Sequence, residues 1–300
     1  IDLSNSSTSR TLTVTGTGDI NVAGVVANGS TSTAGAITKT GTGTLTLAGA
    51  NTYGGATTLT GGTIAVGSNT ALGTGTLSLN GGTLRGDGTP RTLANAMTLA
   101  ISSAIGGTSN LTFNGTLTNT NNNTLAVNNA GLTNFAAINL SNSATNRTLT
   151  IDGSGNTNVA GVIANGSTST AGVLAKTGTG TLTLSGANTY AGATNINGGT
   201  LQLGAANRIA NNSAVTVASG GTFNLNGFSE TISSLTSSGT VNFGTGNILT
   251  TAGAQTYNGQ VTGGTVSMVS TGAGAITAAN ATNDFTGNVS ISTTGVASIA

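Results

Sequence analysis

Lys39-Thr40-Gly41-Thr42-Gly43-Thr44-Leu45-Thr46-Leu47, followed by Gly49-Ala50-Asn51-Thr52-Tyr53, returns as Lys176-Thr177-Gly178-Thr179-Gly180-Thr181-Leu182-Thr183-Leu184 and Gly186-Ala187-Asn188-Thr189-Tyr190. Both stretches lie in a longer gapless repeat, in which residues 1–67 recur as residues 138–204 at an offset of 137 positions. Self-similarity of this length, in a chain of Gly, Thr, Asn, Ser and small aliphatics, marks an architecture whose core propagates along one axis. Inside the quoted stretch, Thr44-Leu45-Thr46-Leu47 places two large apolar side chains on one face and two hydroxyls on the other. That period of two is a strand with one buried and one wet side.

The same short alternation recurs at Thr76–Leu79, Thr124–Val127, Ala214–Val217 and Thr222–Leu225. Threonine suits the outward positions, being β-branched and compatible with water. Between the strands, Gly and Asn tolerate the sharp corners that bulkier residues resist. Gly-Gly-Thr plus an apolar residue begins at Gly61, Gly81, Gly198, Gly220 and Gly263, with local spacings of 20, 22 and 43. A recurrence of 20–22 residues predicts one coil of a three-sided β-helix. Residues 1–300 are therefore read as one continuous all-β solenoid, with the 137-residue offset as about six coils. Leu45, Ile64 and Leu84 are expected to stack in one inward column.

Composition closes off other classes. Charged residues are 4% of the chain, against roughly 25% in average globular proteins, and aromatics are 3%, so neither a salt-bridged helical surface nor a large aromatic core is available. The 49 glycines do not signal disorder, because apolar residues reach 36% and are regularly spaced. A net charge of +1 gives no electrostatic footprint for nucleic acid or an anionic membrane. Without cysteine there is no disulfide framework or thiolate site, and no apolar run of about 18 residues would span a membrane. Ile1 opens in mid-pattern with no signal peptide, as expected of an internal piece of something longer.

Two segments read as interruptions. Pro90 cannot donate to a strand ladder and sits in the densest charge cluster, which places residues 85–91 in a protruding loop. Asn119–Asn129 contains another loop-like stretch, Asn121-Asn122-Asn123 and Asn128-Asn129, with Asn side chains stacking between coils or bonding the turn backbone.

The run Lys-Thr-Gly-Thr-Gly-Thr-Leu-Thr-Leu-x-Gly-Ala-Asn-Thr-Tyr-x-Gly-x-Thr, then Gly-Gly-Thr-[Ile/Leu], resembles the autotransporter-associated β-strand repeat, also called the passenger-associated transport repeat. Residues 39–66 and 176–203 carry the resemblance best, residues 204–232 resemble the segment that commonly follows it, and weaker echoes stand at 255–259 and 283–287. The resemblance implies a right-handed parallel β-helix in the passenger of a large bacterial surface or secreted protein, exported through an outer-membrane β-barrel. It also implies an extracellular setting, roles in adhesion or biofilm, and a part for the repeat in transport and folding.

The catalytic inventory is nearly empty. With no His and no Cys, neither Ser-His-Asp nor Cys-His systems can be built. Carboxylate hydrolysis needs two groups roughly 5–9.5 Å apart. Asp2, Asp19, Asp87, Asp152, Glu230 and Asp284 are scattered, and only Asp2 with Asp19 lies near one coil apart. No Gly-Gly-Thr turn leads to an aspartate in the register of a calcium-binding β-roll. No enzymatic activity, cofactor or metal is expected.

Three surface features carry binding hypotheses. Arg85-Gly86-Asp87 would present a guanidinium–carboxylate pair to an adhesion receptor, against the plainer reading of a solvated turn. Tyr53, Tyr190, Tyr257 and Phe285 recur in one local context, either as exposed rings that stack on sugars or as rings covering gaps in the core. Thr-x-Thr strings at 11–13, 42–46 and 179–183 would form an ice-binding array if they coincided on one face, which the uneven spacing of coils argues against. The expectation is a non-catalytic structural or adhesive segment, a stiff stalk or fibre that meets a cell-surface or matrix component, polysaccharide included, or associates end to end through its open β edges. A carbohydrate-binding or carbohydrate-active β-helix is the alternative, and an ice-binding solenoid the third.

Overall fold

A computed structural model describes residues 1–4, 8–29, 34–166 and 168–299. All regular structure among them is β, in short strands of two to five residues, and every pairing between strands is parallel. Chain-neighbouring strands lie on different sides of a coil and pair one coil up and one coil down, which is a β-solenoid of about 21 residues per coil. The chain divides into two compact units, Ile1–Asn139 with Ser154–Thr157, and Leu140–Gly153 with Asn158–Ala300.

In the first unit, one side is the ladder Thr11–Val14, Ala36–Lys39, Thr57–Leu59, Leu77–Asn80, Met97–Ile101, Leu117–Asn119 and Ile138–Asn139. A second side runs from Ile20–Val22 through Thr44–Leu47, Thr63–Val66, Thr83–Gly86 and Ser103–Gly106 to Asn123–Val127. The third side becomes a regular ladder only at Arg91–Leu93, Leu111–Phe113 and Thr133–Phe135. Leu45, Ile64 and Leu84 are direct register partners and buried, and Ile105 and Val127 continue their column. Each strand contributes its apolar alternates to such columns, so burial passes from coil to coil. On the third side, Phe113 stacks on Phe135 with ring centroids 5.1 Å apart.

The second unit repeats the plan. One ladder runs from Thr148–Asp152 and Val173–Lys176 through Thr194–Ile196, Ala214–Val217, Ser234–Ser237 and Gln255–Tyr257 to Ile276–Ala278 and Ala297–Ile299. Another runs from Thr181–Leu184 to Asp284–Phe285, and a four-stranded ladder of Glu230–Ile232, Asn247–Thr251, Val266–Ser270 and Val289–Ser292 forms the third side.

Three expectations need correction. The 137-residue offset is not a whole number of coils: six coils carry Leu12 to Ile138 in register, and the repeat counterpart Leu149 comes 11 residues later. Residues 85–91 are not one protruding loop, because Arg85 and Gly86 finish the strand Thr83–Gly86 and Arg91 opens the next strand. Alternation accounts for this, since Leu84 turns inward and Arg85 outward, and Pro90 stands just outside a strand that needs its N–H groups. Asn123, read as loop, instead opens the strand Asn123–Val127, and its buried side chain donates to Leu99 O at 2.7 Å and to Asn119 Oδ1 at 3.0 Å.

Candidate functional site

The two quoted stretches build the same interior arrangement, and it begins where the third side has no regular ladder. Asn51 is buried there and reaches both neighbouring coils: its Oδ1 accepts from Val26 N at 2.8 Å, and its Nδ2 donates to Ala71 O at 2.6 Å. Asn188 does the same, accepting from Ile163 N at 2.7 Å and donating to Arg208 O at 2.5 Å. A primary amide has both a donor and an acceptor end, so one side chain ties three coils where the backbone alone leaves groups unpaired.

Two residues on, Tyr53 and Tyr190 point into the coil. Tyr53 OH lies 2.5 Å from Thr57 Oγ1, and Tyr190 OH 2.6 Å from Thr194 Oγ1, which in turn meets Ser213 Oγ at 2.9 Å. Burial pushes the Tyr53 phenol up to about 12 and raises the phenols of Tyr190 and Tyr257 well above the ordinary tyrosine range. The row of exposed rings is therefore not formed. Tyr53, Tyr190 and Tyr257 are 0% exposed and Phe285 is half-buried, so the three tyrosines fill core space that small neighbours leave open. Tyr257 lacks the threonine four residues on and donates instead to Gln255 Oε1 at 2.7 Å.

Sequence reasoning passed over a pair of buried lysines. Lys39 and Lys176 are 1% and 2% exposed. The Lys39 ammonium donates to Gly41 O, and that of Lys176 to Thr177 O and Gly178 O. Desolvation lowers both ammonium pKa values, while Asp19 beside Lys39 and Asp152 beside Lys176 oppose the shift. The Gly-Thr-Gly turn thus folds its carbonyls over a cation. Gly62 and Gly199 of the next coil close the cage with φ of 63° and 61°, and a Cβ at either would overlap the carbonyls of Gly41 and Gly43 or of Gly178 and Gly180. Period-two alternation from Ile37 and from Leu174 already points Lys39 and Lys176 inward, which was the available signal.

Glu230 adds a carboxylate to the buried ionisable groups. It is 1% exposed, and its carboxylate accepts from Arg208 N at 2.8 Å, Ile209 N at 3.2 Å and Thr231 N at 3.1 Å. Burial nevertheless outweighs these bonds and pushes the carboxyl up to about 7. Since Arg208 O receives Asn188, Glu230 extends the second copy's coil-spanning chain by one more link.

Three other carboxylates are engaged within the protein, one locally and two with the following coil. Asp2 Oδ1 accepts from Ser4 N at 2.8 Å, Asp19 Oδ1 from Thr44 N at 2.7 Å, and Asp152 Oδ1 from Thr177 Oγ1 at 2.8 Å. Among the described residues, no three of His, Cys, Asp or Glu gather. In Arg85-Gly86-Asp87, Arg85 is exposed and Gly86 buried. Asp87 is engaged by Arg91 rather than Arg85, with Nε at 3.1 Å and Nη2 at 2.7 Å, and that fork holds its carboxyl below the usual range. The carboxylate the adhesion hypothesis needs is thus committed within the turn.

Comparison with known proteins falls on this same interior. No curated protein and no solved structure matches the chain. The family model of the passenger-associated-transport-repeat matches residues 37–66 and 174–203, which contain both lysine cages, both coil-spanning asparagines and both buried tyrosines. With the parallel solenoid around them, these matches fit the passenger of an autotransporter, and the chain carries two copies of the passenger-associated-transport-repeat.

Proposed function

We propose that the chain is a non-catalytic structural segment of a bacterial passenger, exported to the cell surface, where it serves as a stiff β-helical stalk or fibre that supports adhesion. The observation that carries this reading is the coincidence of the two repeat matches with the clamps that join successive coils. Ionisable side chains of the repeats are used up inside those clamps, where Lys39 and Lys176 hold turns rather than face a substrate. A ladder in which every coil templates the next also suits a chain that folds progressively as it emerges from a membrane pore.

The test places the chain between an epitope and an outer-membrane β-barrel translocator in a Gram-negative host. Surface labelling of the epitope on intact cells is the expected result, with no release of reducing sugar or unsaturated product from a polysaccharide panel. Retention of the epitope in the periplasm contradicts the export reading, and catalytic turnover contradicts the structural one.

A further inference from the structure

On the first side of the first unit, the outward positions fall into register. Thr13, Thr38, Thr58, Ser78, Thr98 and Thr118 are successive partners across six coils, and from Thr38 onward each is 20 residues after the last. The uneven spacing seen along the sequence arises elsewhere in the coils and leaves this rank aligned. Thr98 donates to Ser78 Oγ at 3.2 Å, so hydroxyls in the rank line up along it. Among the described residues, the hydroxyls of Thr38, Thr58 and Thr118 have no partner in the protein.

A flanking rank differs in a useful way. Thr40, Thr60 and Thr120 donate to Val14 O, Lys39 O and Leu99 O of the preceding coil at 3.4, 2.9 and 3.2 Å, which fixes their rotamers and turns their lone pairs outward. The rank on the other flank mixes alanine and threonine at Ala36, Ala56, Thr76, Ala96 and Thr116, and no outward position of these strands is charged. Strand pairing sets the hydroxyl interval at about 4.8 Å along a rank, and two residues of strand set about 6.6 Å between ranks. An uncharged grid of hydroxyls and methyls has nothing to offer an ionic partner, and only Asn80 and the exposed Ile101, at a register shift, interrupt the clamped rank between Thr60 and Thr120.

We infer that this threonine face of the first unit binds the surface of ice. A shorter rank, Thr216, Thr236, Thr256 and Thr277, stands in the second unit, flanked by Ala214, Ser234 and Ala254 without the clamped threonines, so the first unit carries most of the activity. The inference is independent of export and adhesion.

The experiment measures thermal hysteresis and incorporation into a growing ice hemisphere for the full chain and three variants checked for retained β circular dichroism. These are Thr58→Lys with Thr98→Lys on the proposed face, Thr236→Lys with Thr256→Lys on the shorter rank, and Thr46→Lys on the second side, where Arg85 already stands near the same rank. The unmutated chain and Thr46→Lys are expected to enter ice, the second-unit pair to lose a minor part of the hysteresis, and the first-unit pair to lose most of it. Exclusion of the unmutated chain from ice overturns the proposal, whether or not it is retained on crystalline polysaccharide. So does full activity in the first-unit pair. Should that pair fail to fold, Thr118→Lys near the end of the rank replaces it, with the same loss required.

Discussion

The two repeat copies share their asparagine, tyrosine and lysine contacts, yet they neutralise the buried ammonium from different places. Asp19 stands beside Lys39, and its aligned counterpart in the second copy is Asn156. There Asp152, aligned with Thr15, takes over beside Lys176. A second difference lies downstream: Ala71 and Arg208 take the same place as acceptors of Asn51 and Asn188, but the first copy ends its polar chain at that carbonyl while the second continues through Arg208 N to the buried carboxylate of Glu230. What the comparison teaches is which parts the geometry fixes. The caged cation and the three-coil asparagine belong to the turn itself, whereas the counter-charge needs only to be near, because Coulomb attraction is less directional than a hydrogen bond.

The largest expected effect treats the copies alike. Gly62→Ala and Gly199→Ala each force a Cβ onto two backbone carbonyls at positive φ, and each should cost about 3 kcal/mol or more in denaturant unfolding. A mild effect at either would mean that the lysine cage is not closed by the next coil.

Acidity should then separate the copies. Because the folded-state pKa of Glu230 is raised from 4.5 to about 7, the native state holds its proton more tightly than the unfolded chain. Its contribution is intact below about pH 4.5, is lost as pH rises to about 7, and amounts to about 3 kcal/mol across that window. Unfolding followed at pH 4.5 and pH 7.5 should show the second unit weakened at the higher pH, and Glu230→Gln should flatten the dependence. Glu230 is the one glutamate of the sequence, so the first unit has no counterpart to it.

Tyrosine truncation sharpens the contrast further. Removing the buried hydroxyl should cost about 1–2 kcal/mol, and more for Tyr53→Phe than for Tyr190→Phe. Thr194 keeps Ser213 at 2.9 Å, whereas Thr57 keeps only Leu72 O at 3.3 Å. Urea midpoints of the two variants in the reverse order would break that argument.

The smallest effect tests the moved counter-charge. Asp19→Asn and Asp152→Asn should each cost under about 1 kcal/mol and lower the pKa of the neighbouring lysine further. Adding Thr15→Asp to Asp19→Asn should restore the first copy by reproducing the second one's arrangement. Lysine titration followed by NMR reads both steps, and no recovery would show that the two aspartates do not do the same work.

Much of this was legible because a solenoid writes its fold locally. The strand Thr44–Leu47 could be read by alternation alone, and the column through Ile64 and Leu84 by coil spacing. The interior polar groups were harder, because residue type and parity disagree. Alternation sends Lys39 and Glu230 inward, but burying a charge is costly unless carbonyls or N–H groups are waiting, and those arrive from coils remote in sequence. Asn51 was visible in both copies, while its task depends on a side that lacks a ladder there, which no single stretch reveals. The Thr-x-Thr strings at 11–13, 42–46 and 179–183 fall in three different ladders and do not coincide, as their spacing indicated; the rank that does align runs through Thr38, Thr58, Ser78, Thr98 and Thr118, whose 20-residue interval no single string displays.

The most direct test of the shared three-coil clamp is amide hydrogen exchange at Val26 and Ile163, whose N–H groups donate to the Oδ1 atoms of Asn51 and Asn188 at 2.8 and 2.7 Å. Both amides should exchange as slowly as neighbouring ladder amides in the parent chain, and each should exchange far faster when its own asparagine is replaced by alanine while the other remains protected. Fast exchange of either amide in the unmutated chain would contradict the clamp and, with it, the structural role assigned to the repeat.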